Sequence, residues 1–114
     1  METVATRQQA ITREEIQAIA DLIATRFNPH KIILFGSQAR GDWHPRSDVD
    51  LLVILDNDDG LDPEVEIALA IPHRFPIDIL VRSPQKLAER LQLGDAFLRD
   101  ILENGVILYE RAGQ

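Results

Sequence analysis

Residues 32–55 read IILFGSQARGDWHPRSDVDLLVIL, and the rest of the chain is arranged around this stretch. It begins with a short apolar run, residues 32–35, which a glycine ends; this pattern is typical of a buried β-strand. A polar loop follows, and the second apolar run, LLVIL, predicts another strand with Asp48 and Asp50 at its start. Residues i and i+2 of a strand point to the same face, so both carboxylates are expected to project side by side while Val49 points into the core.

The carboxylate pair and the glycine predict two complementary binding features. Two anions on one face repel each other unless a cation lies between them, and Mg²⁺ prefers oxygen ligands and often keeps substrate phosphates in its shell. Gly36 and Ser37 follow the first strand, and a short helix beginning at Ser37 would direct its N-terminal amides at an anion. Taken singly, each feature is more often an ordinary turn or a solvated strand start. Taken together, they indicate a nucleoside triphosphate bound with Mg²⁺.

The spacing of these residues resembles a known signature. Ten residues separate Ser37 from Asp48, as in the Gly-Ser-x10-Asp-x-Asp signature of the polymerase-beta-like nucleotidyltransferase superfamily. The stretch FGSQARGDWHPRSDVDLLV is similar to the minimal nucleotidyltransferases, the MNT family. The resemblance implies a nucleotidyltransferase fold of mixed α+β class, in which helices flank a small mixed β-sheet.

The resemblance also implies a third carboxylate on a later strand, and Asp78 is the candidate. It interrupts the apolar segment PIDILV, where a polar residue alone would ordinarily be an outward one on an edge strand. A helical segment lies between Asp50 and Asp78. If that segment is a crossover, the two strands are parallel and their beginnings lie together. Asp48, Asp50 and Asp78 would then hold two Mg²⁺ ions, a two-metal arrangement.

For the remaining site residues, the resemblance implies that Gly36 and Ser37 hold the β and γ phosphates of ATP. Arg40 has two alternative roles that the sequence leaves open. It either steadies the triphosphate or pairs with a carboxylate such as Asp42 or Asp48, because the arginine guanidinium suits both uses.

Helix signals place the elements around this site. Thr12 and Glu15 form a capping-box pattern, which predicts a helix from Thr12 to about Phe27. Asp62 followed by proline predicts a second helix, ending near His73, and Ser83 and Asp95 are predicted to begin two more.

Two of these helices carry specific packing predictions. In the helix that begins at Asp62, Val65, Ala68, Leu69 and Pro72 are expected to bound the apolar face. In the helix that begins at Asp95, Phe97, Leu98, Ile101 and Leu102 are expected to point inward.

Composition sets limits on the class of protein. The chain has 114 residues and no low-complexity linker, which predicts a single domain in which residues 1–11 are flexible. Its net charge of −7 disfavours direct nucleic-acid binding. No apolar run reaches the ~20 residues of a membrane span, and the start lacks a signal core. We therefore expect a cytoplasmic protein without a membrane partner.

The MNT resemblance implies a biological role as well. Many MNT proteins are antitoxins of HEPN-domain RNase toxins, which they silence by transferring AMP from ATP to a tyrosine hydroxyl. The alternatives are an antitoxin that inhibits by binding alone and a nucleotidyltransferase acting on a small molecule such as an antibiotic. The signature-bearing core occupies most of the chain, so the rest of the pocket is expected from a second copy or another protein, in a homo- or hetero-oligomer.

Overall fold

The computed structural model of the protein describes residues 11–36, 39, 49–56, 62–72 and 76–112. Over these residues the chain forms four helices and four strands. In chain order they are α1 (Arg13–Phe27), β1 (Lys31–Phe35), β2 (Val49–Ile54), α2 (Pro63–Ala70), β3 (Ile77–Arg82), α3 (Pro84–Gln92), α4 (Ala96–Asn104) and β4 (Val106–Glu110).

The four strands form one mixed sheet in the order β3-β2-β1-β4. β1 is antiparallel to both β2 and β4, whereas β2 and β3 are parallel and are joined through α2. Both the mixed α+β class and the parallel neighbours β2 and β3 are thereby confirmed. β2 begins at Val49, two residues before the predicted start, so Asp50 is itself a strand residue.

Helices cover both faces of the sheet, and the alternation along β2 divides the core between them. Leu51 and Val53 face one side, Leu52 and Ile54 the other, and each of the four is at most 6% exposed. The first side packs against α1 and α2, in a cluster that includes Ile16, Ile19, Ile23, Ile32, Leu34 and Ile67. The second packs against α3 and α4, in a cluster that includes Ile33, Leu87, Leu98 and Ile101. Asp50 lies two residues before Leu52 on the same strand, so its side chain lies on the same face, the α3–α4 side.

The start of α1 is set by the predicted capping box. The Glu15 amide donates to Thr12 Oγ1 at 3.1 Å, and the Thr12 amide donates to Glu15 Oε1 at 3.0 Å. The helix ends at Asn28, which adopts the left-handed conformation with φ of 51° and is followed by the buried Pro29. Both predicted ends of α1 are confirmed.

The prediction for α2 was wrong about its end and its buried face. Pro72 disfavours helical geometry at the preceding residue, and Ile71 is extended with ψ of 122°, so the helix ends at Ala70. Val65 and Leu69 are 51% and 82% exposed.

Ile67 is the residue of α2 that is buried against the sheet. Apolar side chains lie on most sides of this short helix, so their spacing does not identify the face that packs on the sheet. A specific contact sets the rotation of α2 about its axis. Glu64, three residues before Ile67, accepts a hydrogen bond at 3.0 Å from the Val81 amide on the edge strand β3. Glu64 and Ile67 therefore face the sheet together.

Within the described ranges, no helix is long and apolar enough to cross a membrane.

Candidate active site at the end of β1

Asp50 and Asp78 are direct neighbours in the sheet. Each is the second residue of its strand, and the parallel register pairs Asp50 with Asp78. Paired residues of adjacent strands lie on the same face, at a strand separation of about 4.8 Å. The sequence predicted that these two carboxylates would converge, and the register brings them together.

Gly36 follows β1 beside this pair, and the Asp50 carboxylate lies close to the position that a side chain at residue 36 would occupy. Its φ is +80°, and a Cβ built on it would lie 2.4 Å from Asp50 Oδ2. Phe35, the residue before it, is paired with Asp50 across the antiparallel register. Only glycine accommodates both the left-handed backbone and this close approach. The Ala39 amide donates to the Gly36 carbonyl at 3.2 Å, so the chain turns directly after the strand.

The partial exposure of the two carboxylates suits a binding role at this end of the strands. Val49 is fully buried on the opposite face, as predicted, while Asp50 is half-buried and Asp78 is exposed. Like charges directly opposite one another in a sheet are destabilising. A divalent cation with a preference for carboxylate oxygens would relieve that repulsion, so the donor set fits Mg²⁺.

Three of the predicted site residues, Ser37, Arg40 and Asp48, lie outside the described residues. The roles assigned to them stay predictions. In the part of the chain that the structure describes, no three His, Cys, Asp or Glu residues are grouped to hold a metal. The described site is therefore the pair Asp50–Asp78 with Gly36 beside it.

Phe97 lies at the surface against Phe35, the last residue of β1, rather than in the core. The prediction that it points inward was wrong, because it is 56% exposed. Its ring meets Phe35 edge-on, with the centroids 5.7 Å apart and the planes at 83°. Aromatic pairs favour this T-shaped arrangement. The contact joins the start of α4 to the end of β1.

The cap of α4 is an aspartate whose hydrogen bonds shift its pKa. Asp95 Oδ1 accepts a hydrogen bond from the Leu98 amide at 3.1 Å, and Asp95 Oδ2 accepts one from Arg90 Nε at 3.1 Å. The Leu98 amide is the main cause, and Arg90 a further one, of a pKa for Asp95 below its usual value of 3.8. The cap that positions Phe97 is therefore ionised at neutral pH.

A cleft of about 280 Å³ opens beside Gly36, and sequence reasoning missed it. Phe35, Ala39 and Ile101 give it apolar walls, and Asp100 and Asn104 give it a polar edge. The spacing of the polar pair, four residues on one helix, was visible in the sequence. Nothing in the sequence indicated that the end of α4 would lie against Gly36.

Comparison with known proteins identifies the family. The profile of the family described as "Polymerase beta, Nucleotidyltransferase" matches residues 17–114. The chain belongs to this nucleotidyltransferase family. The match includes Gly36, Asp50 and Asp78, and it agrees with the resemblance drawn from the Gly-Ser and Asp-x-Asp motifs.

Two further similarities accompany the assignment to the nucleotidyltransferase family. A protein of Methanocaldococcus jannaschii named "Putative protein adenylyltransferase MJ0604" is 35% identical over 79 residues, which cover 69% of this chain and 77% of that protein. The crystal structure of a protein from Sulfolobus solfataricus, described as "a putative nucleotidyltransferase", superposes with a TM-score of 0.57 at 20% identity. That superposition covers 86% of this chain and 79% of the other, and it supports the fold.

Proposed function

We propose that the chain is a Mg²⁺-dependent protein adenylyltransferase that acts as an antitoxin. It transfers AMP from ATP to a tyrosine hydroxyl of a partner HEPN-domain RNase toxin and so neutralises the toxin. The observation that carries the catalytic part is the in-register pair Asp50–Asp78 beside Gly36. The relative named as a protein adenylyltransferase supports a protein acceptor, and the resemblance to MNT antitoxins supports a toxin as that protein.

The site residues of this chain have separate roles in such a transfer. Asp50 and Asp78, with Asp48, are the residues that would hold Mg²⁺, which when bound neutralises triphosphate charge and lowers the pKa of the attacking hydroxyl. Gly36, with no side chain, lets a phosphate approach the backbone closely, and Ser37 supplies a hydroxyl donor.

In the reaction, the tyrosine oxygen forms a bond to the α phosphorus, the bond to pyrophosphate breaks, and the phenolic proton is lost. Asp78 is exposed, and a hydroxyl presented by a partner protein must approach from solvent. We therefore assign Asp78 to the acceptor side of the site, where its carboxylate would take the proton. Asp50 lies half-buried against Gly36 and is assigned to the nucleotide side.

The test is intact-mass spectrometry of the HEPN-domain protein encoded beside this chain, after incubation with the chain, Mg²⁺ and ATP. The proposal expects a mass increase of one or more AMP units, and no increase with the double variant Asp48→Asn/Asp50→Asn. An unchanged mass together with a stable complex would replace the proposal by an antitoxin that acts through binding alone. An unchanged mass without a complex would direct attention to small-molecule acceptors.

A further inference from the structure

A groove rich in basic side chains runs beside the edge strand β3. It has a volume of about 600 Å³ and is lined by Val81, Arg82, Ser83, Lys86, Arg90 and Asp95. Asp95 is the only anion among these described lining residues, and its carboxylate pairs with Arg90 at 3.1 Å. In the whole chain, by contrast, 19 acidic residues outnumber 12 lysines and arginines. The groove is therefore a locally basic surface on an acidic protein.

Two cations of the groove are held only by exposed ion pairs. Lys86 Nζ lies 3.5 Å from a carboxylate oxygen of Glu89 on the same helix, and Arg82 Nη1 lies 3.8 Å from one of Glu64. The four side chains are 34–59% exposed. Ion pairs this exposed contribute little stability, because water screens them. An acidic ligand can therefore bind these cations in place of the present partners at small cost.

The groove lies on the acceptor side of the proposed site. In an in-line displacement, the attacking hydroxyl enters opposite the leaving pyrophosphate. With the β and γ phosphates at Gly36 after β1, and the α phosphorus at Asp50 and Asp78, the hydroxyl enters across β3, the edge strand of the order β3-β2-β1-β4. Arg82 lies on the same face of β3 as Asp78, four residues and so about 13 Å along the strand.

The edge of β3 is closed at its far end. The carbonyls of Pro76 and Arg82 accept hydrogen bonds at 3.1 Å from amides at either end of β2, so the even-numbered residues of β3 pair with β2 and the odd-numbered ones face outward. At Val81 both outward groups are bonded to side chains. The amide donates to Glu64 at 3.0 Å, and the carbonyl accepts from Arg82 Nη1 at 2.8 Å. A further strand cannot pair there without displacing these contacts.

The same edge is open beside the catalytic pair. The outward backbone groups of Ile77 and Ile79 have no hydrogen-bond partner among the residues that the structure describes. Unpaired groups on a sheet edge are a template for an extended segment of another chain. In such a pairing, the residue opposite Asp78 projects to the same face of the sheet, with its Cβ about 5 Å away. That residue would present its side chain directly to the acceptor carboxylate.

We propose that an extended acidic segment of the protein acceptor docks on this surface. It adds as a short strand to Ile77 and Ile79, which places the acceptor side chain opposite Asp78. Where the edge closes, the segment leaves the sheet, and its carboxylates bind Arg82 and Lys86 in the basic groove. Charge complementarity selects an acidic segment. The inference rests on the proposed function for the side from which the acceptor enters, and it deepens that function by assigning how the acceptor is recognised.

The charge preference is tested with two labelled peptides that have a central tyrosine, one flanked by glutamates and the other by lysines. Fluorescence anisotropy in the presence of Mg²⁺ and ATP measures their binding. The wild-type chain is expected to bind the glutamate peptide more tightly, by roughly 1.5- to 5-fold for each ion pair formed, the range of exposed pairs. The preference is expected to shrink as salt is added, because salt screens exposed charges.

Lys86→Glu separates recognition of charge from general damage. The variant is expected to bind the glutamate peptide more weakly and the lysine peptide more tightly than the wild-type chain does. A structural defect would weaken both. Arg13→Glu is the matched control, because it makes the same change of charge at an exposed position of α1, on the opposite face of the sheet. It is expected to keep the wild-type preference.

Strand addition is tested by removing single amide N–H groups from the glutamate peptide. Successive amides of a strand point to opposite sides, so only one of two neighbouring N–H groups can bond to the edge of β3. N-methylation at the tyrosine is therefore compared with N-methylation at the next residue. One of the two peptides is expected to lose binding while the other keeps it. Equal affinities of the two methylated peptides would overturn the strand pairing.

The outcomes separate this inference from the proposed function. A glutamate preference that Lys86→Glu reverses, without AMP transfer to the partner protein, would support the inference and contradict the proposed function. AMP transfer to the partner, with equal affinity for the two peptides and an unchanged KM in Lys86→Glu, would support the proposed function and overturn the inference. A lower affinity of Lys86→Glu for ATP with unchanged peptide binding would assign the groove to the nucleotide and also overturn it.

Discussion

Gly36→Ala is the substitution that the site geometry predicts most sharply. The added Cβ would begin 2.4 Å from Asp50 Oδ2 and 3.3 Å from its Cγ. Carbon and oxygen atoms at ordinary contact are about 3.5 Å apart, so the carboxylate or the strand end must move by about 1 Å. The backbone at φ +80° adds the left-handed penalty of a residue with a Cβ, about 1–2 kcal/mol.

The two consequences of Gly36→Ala have different sizes. The free energy of unfolding is expected to fall by about 1–2 kcal/mol, because the Asp50 side chain can turn aside and relieve much of the clash. Nucleotidyl transfer is expected to fall roughly 100-fold, the usual effect of a 1 Å misplacement at a reacting centre. Urea unfolding followed by circular dichroism gives the first quantity, and the initial rate of AMP transfer gives the second.

Gly94→Ala is the matched control, because Gly94 has a similar φ of +86° but no atom within 4 Å of the position that a Cβ would occupy. It introduces the same backbone strain without touching Asp50. We expect a similar loss of stability with unchanged transfer. Equal transfer rates in Gly36→Ala and Gly94→Ala would refute the argument that the missing side chain at Gly36 positions the Asp50 carboxylate.

Three further predictions concern the framework around the site. Thr12→Ala removes the capping box of α1 and should lower the free energy of unfolding by about 0.5–2 kcal/mol in urea titrations; an unchanged midpoint would contradict the capping role. Gly105→Ala forces a Cβ against Ile33 and should destabilise the fold by about 1–3 kcal/mol, measurable as a lower Tm. Because the pKa of Asp95 is lowered on folding, its ionised form stabilises the fold above the unfolded-state pKa, and this contribution is lost as pH falls through the folded-state value. Asp95→Asn keeps a capping side chain but does not titrate, so urea unfolding of this variant should lose that acid-dependent part; identical pH profiles would contradict it.

Local signals in the sequence were sufficient for most of the framework. The capping box at Thr12 and the apolar runs of β1 and β2 act within a few residues, so each could be predicted without knowing the tertiary structure. The meeting of Asp50 with Asp78 required one further rule, that a helical crossover joins parallel strands. The family resemblance pointed to Asp78 as the third carboxylate, and the crossover rule then predicted that it would lie beside Asp50.

The failures have a common physical origin in contacts between distant segments. The rotation of α2 depends on the hydrogen bond from the Val81 amide to Glu64, 17 residues away in sequence, which a helical periodicity does not encode. Phe97 has the hydropathy of a core residue, but it lies at the surface and packs in a T-shaped pair with Phe35 at the end of β1. The cleft beside Gly36 likewise arises from the packing of Gly105 on β1.

The central claim is that Asp50 and Asp78 together form the metal-dependent nucleotide site, and calorimetric titration of ATP into this chain tests it without any partner. With Mg²⁺ present, the wild-type chain should bind ATP measurably more tightly than in the presence of a chelator. Asp50→Asn and Asp78→Asn should each lose that Mg²⁺-dependent gain, while Asp21→Asn, on the exposed face of α1, should keep it. Binding of Mg²⁺ and ATP by a folded Asp50→Asn protein with wild-type affinity would contradict the claim.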